Sequence, residues 1–199
     1  IDRVHFSPDS RYILTSYYEN MSVLNVINGK KRFSLDGNLA TFSPNGKYIA
    51  TISYQGYDSI LSDSTTISIW ECNSGLLINR TIFKDNGGVE SIQYSPDGNY
   101  IITGHGDLDP KARIWESPSA KLIHTLEGKI SPLRYSEYLL GGKFLATSSC
   151  NYRTKISEEE CKVLKIWDCS SGELFHNFSA VNSFPSAIIS QNEIYIMLV

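Results

Sequence analysis

The sequence predicts an all-β protein assembled from repeated four-stranded antiparallel units, about four whole units and the start of a fifth. Three observations carry this. An aromatic-Ser-Pro-Asp/Asn-Gly turn recurs along the chain, three later strands end in Ile-Trp followed by an acid, and no segment keeps the 3.6-residue apolar period of an amphipathic helix.

The turn motif comes first in each unit. It reads Phe6-Ser7-Pro8-Asp9-Ser10-Arg11-Tyr12-Ile13, Phe42-Ser43-Pro44-Asn45-Gly46-Lys47-Tyr48-Ile49 and Tyr94-Ser95-Pro96-Asp97-Gly98-Asn99-Tyr100-Ile101. A looser copy runs from Tyr135-Ser136 to Gly142-Lys143-Phe144-Leu145, and a degenerate one spans Ile189 to Ile196. Pro at the second turn position has its φ already near −65°, and Asp and Gly suit the next two, so each motif reads as a type I turn joining two strands. The anchors at 6, 42, 94, 135 and 189 are 36, 52, 41 and 54 residues apart. Those intervals scatter about the roughly 40–45 residues of one propeller blade, two of them stretched by insertions.

Second strands follow in Tyr48–Ser53, Tyr100–Thr103 and Phe144–Ser148, short and rich in β-branched and aromatic residues. Third strands alternate apolar and polar residues, Ile67-Ser68-Ile69-Trp70, Ala112-Arg113-Ile114-Trp115 and Leu164-Lys165-Ile166-Trp167. Glu71, Glu116 and Asp168 come next, then small-residue turns and the fourth strands Leu76–Ile82, Lys121–Leu126 and Glu173–Phe178. A single Trp in an apolar run is ordinarily core, and a single Ser-Pro-Asp-Gly is ordinarily a turn. Three such units in register are a repeat.

With 18 Lys+Arg against 21 Asp+Glu and no basic run, the 199-residue chain lacks the clustered cations that phosphate neutralisation needs, so direct nucleic-acid binding is not expected. No apolar run approaches the length of a membrane span, and Ile1 opens into a strand-like segment rather than a signal peptide, so membrane insertion is not expected. Cys72, Cys150, Cys161 and Cys169 form no C-x-x-C pair and read as free thiols of a reducing compartment. Against that stand the sequons at Asn20, Asn79 and Asn177, which in a secreted protein would be surface acceptors.

The sequence carries no recognisable catalytic or cofactor signature. His5, His105, His124 and His176 fall in different units, and no G-x-S-x-G elbow, phosphate loop or Ca²⁺-loop carboxylate ladder is present. Gly104-His105-Gly106-Asp107-Leu108-Asp109 has the composition of a metal or acid/base cluster, but reads more simply as a turn between strands. No metal and no cofactor are expected.

The Phe-Ser-Pro-Asp-Gly turns and the run Ile166-Trp167-Asp168-Cys169-Ser170-Ser171-Gly172 resemble the WD-repeat family of β-propellers, over nearly the whole chain. The resemblance implies that Trp70, Trp115, Trp167, Asp109 and Asp168 are structural repeat residues. The family's Gly-His pair is absent before each first strand, so its brace of His, Asp, Ser/Thr and Trp is expected to be incomplete. Asp109 sits six residues before Trp115, where the family's turn Asp belongs; Ser64 and Cys161 fill the matching slots before Trp70 and Trp167. In the first unit Val26 is expected in place of Trp, with Asn20 standing in for the Asp. Apolar packing between sheets should therefore carry most of the cohesion.

Units are expected at 1–36, 37–83, 84–127, 128–179 and 180–199, the last incomplete. Propellers close with about four to eight blades, and the resemblance to the WD-repeat family implies that the chain is part of a larger ring of about seven. Two loops between second and third strands are long, residues 53–64 and 150–161. In the family such loops lie on one rim, and rigid scaffolds that present loops serve recognition. Tyr54, Tyr57, Asp58, Tyr152, Arg153 and Glu158 are the candidate partner-binding residues, since Tyr and Arg are enriched in interface hot spots. Insertions tolerated for their small closure cost are the alternative. The expected function is a non-catalytic protein-protein interaction platform, a scaffold subunit or the sensing region of a larger protein, binding proteins or peptides in the cytoplasm or nucleus. The alternative is a propeller enzyme, a hydrolase or oxidoreductase, whose channel site would be completed by blades outside this chain.

Overall fold

The computed structural model of the chain describes residues 3–17, 20–54, 64–84, 88–105, 111–127, 135–149, 163–179, 187–189 and 196–198. Among these residues eighteen strands run in order. The first four are β1 (Arg3–Phe6), β2 (Tyr12–Tyr17), β3 (Asn20–Asn25) and β4 (Lys31–Asp36); the next are β5 (Leu39–Phe42), β6 (Tyr48–Tyr54), β7 (Thr65–Glu71) and β8 (Leu77–Phe83). They are followed by β9 (Val89–Tyr94), β10 (Tyr100–His105), β11 (Ala112–Glu116) and β12 (Lys121–Leu126), then β13 (Tyr135–Leu139), β14 (Phe144–Ser149), β15 (Val163–Asp168) and β16 (Leu174–Ser179). The short β17 (Ala187–Ile189) and β18 (Ile196–Leu198) pair with each other. Each group of four makes one antiparallel sheet in simple sequential order. Among the described residues the only helical element is a 3₁₀ turn at Leu140–Gly142, and no helix is long and apolar enough to cross a membrane.

The turn motif builds itself from side-chain hydrogen bonds. In the first sheet Ser7 Oγ donates to Asp9 Oδ1 at 2.6 Å and accepts from Tyr12 N at 2.9 Å, while Arg11 N donates to the same carboxylate oxygen. Ser43 with Asn45 and Ser95 with Asp97 repeat the arrangement in the next two sheets. A short polar side chain thus satisfies backbone donors that a two-strand connection would leave open. The turns also stack. Pro8 lies beside Gly46, Pro44 beside Gly98, and Pro96 with Asp97 beside Gly142.

The core lies between sheets. Leu14, Met21, Val23 and Leu35 of the first sheet meet Phe42, Ile49 and Trp70 of the second. On its other face the second sheet brings Ala50, Ile52, Ile67 and Ile69 against Tyr94, Ile101 and Trp115 of the third. The third brings Ile102, Ile114 and Leu126 against Leu145 and Trp167 of the fourth. Each Trp therefore wedges into the joint with the preceding sheet. Middle strands such as β6 are buried on both faces, which is why they read as continuous apolar runs rather than strict alternation.

The sheets are also joined by polar contacts that the apolar-packing expectation omitted. Phe33, Asn79 and His124 occupy the same register position, paired with Val23, Ile69 and Ile114. Phe33 packs against Gly75 of the following sheet, Asn79 Nδ2 donates to the Pro118 carbonyl at 2.9 Å, and His124 Nε2 donates to the Ser170 carbonyl at 2.8 Å. Thr81 Oγ1 adds a bond to the Ala120 carbonyl. In each of the first three sheets fourth-strand side chains reach the third-to-fourth turn of the next. The Asn79 sequon is consequently committed to an inter-sheet joint rather than displayed on a loop.

Register corrects two expectations for the first unit. Ile13 pairs with Leu24 as Ile49 pairs with Trp70 and Ile101 with Trp115, and the bulge before the Trp recurs between Val23 and Leu24. Leu24, not Val26, stands in the Trp position; Val26 matches Cys72, since their amides bond Arg11 O and Lys47 O respectively. Asn20 then lies four residues before that position, exposed at the start of β3, and is not the Asp substitute. A third correction concerns Gly104 and His105. They belong to β10 rather than to a turn, and His105 is fully buried.

Candidate functional site: an inter-sheet cleft at the rim

The three tryptophans share one arrangement. Trp70 Nε1 donates to Thr51 Oγ1 at 2.9 Å, Trp115 Nε1 to Thr103 Oγ1 at 2.9 Å, and Trp167 Nε1 to Thr147 Oγ1 at 2.8 Å, all buried. In the third sheet Thr103 Oγ1 also lies 3.0 Å from His105 Nε2, and the Arg113 guanidinium sits against that ring and over Phe83. These polar groups are satisfied inside the apolar joint, as buried groups must be. Asp168 is half-buried; its Oδ1 accepts from Ser170 Oγ and from the Ser170 and Ser171 amides. The Ser170 hydroxyl above all, with those amides, holds its carboxyl below the usual carboxylate range. Asp109 lies outside the described residues.

Of the candidate partner-binding residues, Tyr54 is described. It ends β6, half-buried, and its amide donates to Asn38 Oδ1 at 3.0 Å. Tyr57, Asp58, Tyr152, Arg153 and Glu158 lie outside the described residues. Tyr54 lines a cleft of about 510 Å³ between the first and second sheets, together with Asn20, Asp36, Gly37, Ser53, Ser64, Thr66, Arg80 and Ile82. Asn20, Asp36, Ser53, Tyr54, Thr66 and Ile82 sit at or near the strand ends on the side where β6 leads toward β7, and Gly37 and Ser64 lie just beyond such ends.

Local structure explains the cleft. Gly37 lets the link between β4 and β5 pass close to β6: a Cβ there would stand 3.0 Å from Ile52 O and from Thr51 Cβ, at a φ of +153°. Asn38 then donates from its amide to Ile52 O at 2.6 Å and accepts the Tyr54 amide, tying the link to the second sheet. Arg80 crosses the cleft. Its Nε donates to Ser68 Oγ at 3.1 Å, its Nη2 stands 3.6 Å from Asp36 Oδ2, and its guanidinium lies over Trp70. The described walls carry one cation, one anion, several hydroxyls and the apolar surfaces of Tyr54 and Ile82. That is the composition of a recognition surface, with hydrogen-bonding groups that fix orientation beside apolar area that supplies affinity.

Residues 64–184 match the family model described as eukaryotic translation initiation factor eIF2A. The chain belongs to this family of WD-repeat propellers. Two curated relatives are similar to it: the meiotic recombination protein rec14 of Schizosaccharomyces pombe, and the uncharacterized WD repeat-containing protein sll1491 of Synechocystis. Each is 29% identical over 133 residues, covering 66% of this chain and 36% of the relative, so this WD-repeat chain spans little more than a third of either. Among solved structures, the hydrazine synthase of Kuenenia stuttgartiensis superposes with a TM-score of 0.69 over 97% of this chain and 53% of that one. At 14% identity that likeness concerns the fold alone.

Arg80, Asp36, Gly37 and Ile82 were not singled out in the sequence. The signal for Gly37 was its place between two strands that follow each other almost without a turn. Nothing local marked Arg80, whose role depends on a neighbouring sheet. In this WD-repeat fold the cleft exists only because two blades meet.

Proposed function

We propose that the chain is a non-catalytic protein-interaction platform, a scaffold subunit or the sensing region of a larger protein. Partners are bound on the rim where second strands pass into third strands. The observation that carries this reading is the cleft at the base of the 55–63 segment, with Tyr54, Arg80 and Ile82 on its walls. A rigid stack of sheets supports it, and residues on such a scaffold are held for recognition without ordering cost. The matched names belong to different processes, translation initiation and meiotic recombination. What they have in common is the WD-repeat fold, not a partner, and our reading is of a protein or peptide ligand in the cytoplasm or nucleus. The units 1–36, 37–83, 84–127, 128–179 and 180–199 are taken as successive blades of a larger ring, about seven in all.

The test is affinity capture from the native source with the chain and with a variant in which Tyr54, Tyr57, Tyr152 and Arg153 are all replaced by alanine. The variant loses its partners and keeps its far-UV circular dichroism spectrum and melting temperature. Equal recovery by both proteins removes the rim-loop reading.

A further inference from the structure

The outer edge of the second sheet carries exposed apolar residues that its neighbours do not explain. β8 is the end strand in the order β5-β6-β7-β8. On this segment Leu76 is 63% exposed, Leu77 43%, Ile78 41% and Ile82 68%. The corresponding end strand of the first sheet, β4, reads Lys31-Arg32-Phe33-Ser34-Leu35-Asp36 and has no exposed large apolar side chain. β12 has one, Leu122. Charged residues on an end strand are the usual protection against pairing with another chain, and β8 has a single one, Arg80.

β16 is also apolar, with Leu174, Phe175 and Phe178 exposed, but His176 there holds the register position from which His124 reaches the following sheet. Its face has the pattern of one more inter-sheet joint. β8 differs, because its sheet is flanked on both sides: Arg80 meets Asp36 of the first sheet, while Asn79 and Thr81 bond to the third. The exposure of β8 persists with both neighbours in place.

We propose that β8 is a docking edge for an extended segment of a partner protein, added as a fifth strand to the second sheet, with acidic residues alternating with apolar ones. Strand addition fits because an end strand offers a row of backbone donors and acceptors, and Ile78 and Ile82 offer apolar contacts to alternate residues of the incoming strand. Charge selects the chemistry. Residues 76–84 hold no acid and two cations, the exposed Lys84 and Arg80, the latter also facing Asp36 at 3.6 Å, so an acidic strand is complemented chiefly at the Lys84 end. A second copy is disfavoured: antiparallel self-pairing centred on Asn79 or Arg80 sets the two Arg80 side chains on a diagonal or directly opposite, a like-charge arrangement. This goes beyond the rim reading, since it assigns a different mode of binding to the outer edge of β8, a surface that shares only Arg80 and Ile82 with the cleft.

The probe is a capped ten-residue peptide of alternating valine and glutamate, added to the 199-residue chain and followed by fluorescence anisotropy and by amide hydrogen exchange. Binding is expected, with slowed exchange in residues 77–83. The double substitution L76E/I78E, at exposed positions outside the cleft, weakens it at least tenfold with an unchanged far-UV spectrum. The same peptide N-methylated along its backbone does not bind, and a valine-lysine peptide binds at least tenfold more weakly. The proposal is overturned by absence of binding, by equal binding of the N-methylated or lysine peptide, or by binding that survives L76E/I78E. Self-association of the chain that L76E/I78E abolishes would also overturn it, in favour of a second copy. The rim variant described above leaves peptide binding intact, so failure of either reading is seen without the other.

Discussion

Replacing Thr103 by Val tests the polar brace inside the third sheet at almost constant volume. The substitution removes one hydroxyl and leaves a β-branched side chain suited to a buried strand. That hydroxyl is fully buried and has two partners, the Trp115 indole N–H at 2.9 Å and His105 Nε2 at 3.0 Å. Leaving a buried polar group without its partner costs about 1–3 kcal/mol. In the second sheet Thr51 bonds Trp70, and in the third His105 Nε2 keeps Arg113 Nη1 at 2.8 Å when Thr103 loses its hydroxyl, so T51V and T103V each strand one indole N–H and each should cost about 1–3 kcal/mol. For a chain of this size each kcal/mol lowers the melting temperature by roughly 2–4 °C, so T103V should melt roughly 2–12 °C below wild type. Urea unfolding followed by far-UV circular dichroism gives the free energies. Adding W115F separates the hydrogen bond from the lost packing. It should cost about 1–3 kcal/mol less in the T103V background than in wild type, because the stranded indole N–H is removed with the ring. Stability of T103V within about 0.5 kcal/mol of wild type, or an equal cost of W115F in both backgrounds, would refute the brace as an energetic unit.

Further outcomes follow from the same geometry. Gly172 has φ +72°, and a Cβ there would stand 2.5 Å from His124 Cγ, while Gly29 has φ +65° and no atom within 4 Å; in thermal melts G29A should lose about 1–2 kcal/mol from backbone strain alone and G172A clearly more. The Asp168 carboxyl is held below its ordinary value chiefly by Ser170, so its contribution is present above the unfolded-state pKa of about 3.9 and is lost as pH falls through the lower folded value. D168N, whose amide oxygen can still accept the turn amides as Asn25 does, should therefore show a flatter loss of stability between about pH 5 and pH 2 in urea titrations. Burial, reinforced by the charges of Asp168 and Asp97, pushes the Cys169 thiol up to about 12, and burial also raises Cys72. Peptide mapping after treatment with a thiol reagent at pH 8 should find both unmodified in the native protein and modified in denaturant, and rapid native labelling of either would contradict their placement in the joints.

Much of the fold was legible in the chain because its signals are local. A Ser two residues before Asp or Asn closes the same turn wherever it occurs, as Ser7, Ser43 and Ser95 do, since all the bonding groups lie within six residues. The Trp strands were equally plain from alternation and from the acid and turn that follow. Val26 was misassigned for an instructive reason: counting from the turn cannot see the bulge and pairing that put Leu24 opposite Ile13. Asn20 lost its assigned role with it. The candidate rim residues were legible only as a type of loop, and Tyr54 alone among them falls within the described residues.

By itself the sequence determined the repeat, the all-β class and the turn chemistry, because each depends on dihedral preferences and hydrogen bonds between near neighbours. Only the tertiary structure decided that Asn79 is an inter-sheet clamp rather than an exposed sequon, that Arg80 spans a cleft to Asp36, and that β8 stays apolar at its edge with a sheet on either side. Those outcomes depend on which surfaces of different repeats come into contact. That is set by packing between residues about 40 positions apart, and no local pattern encodes it.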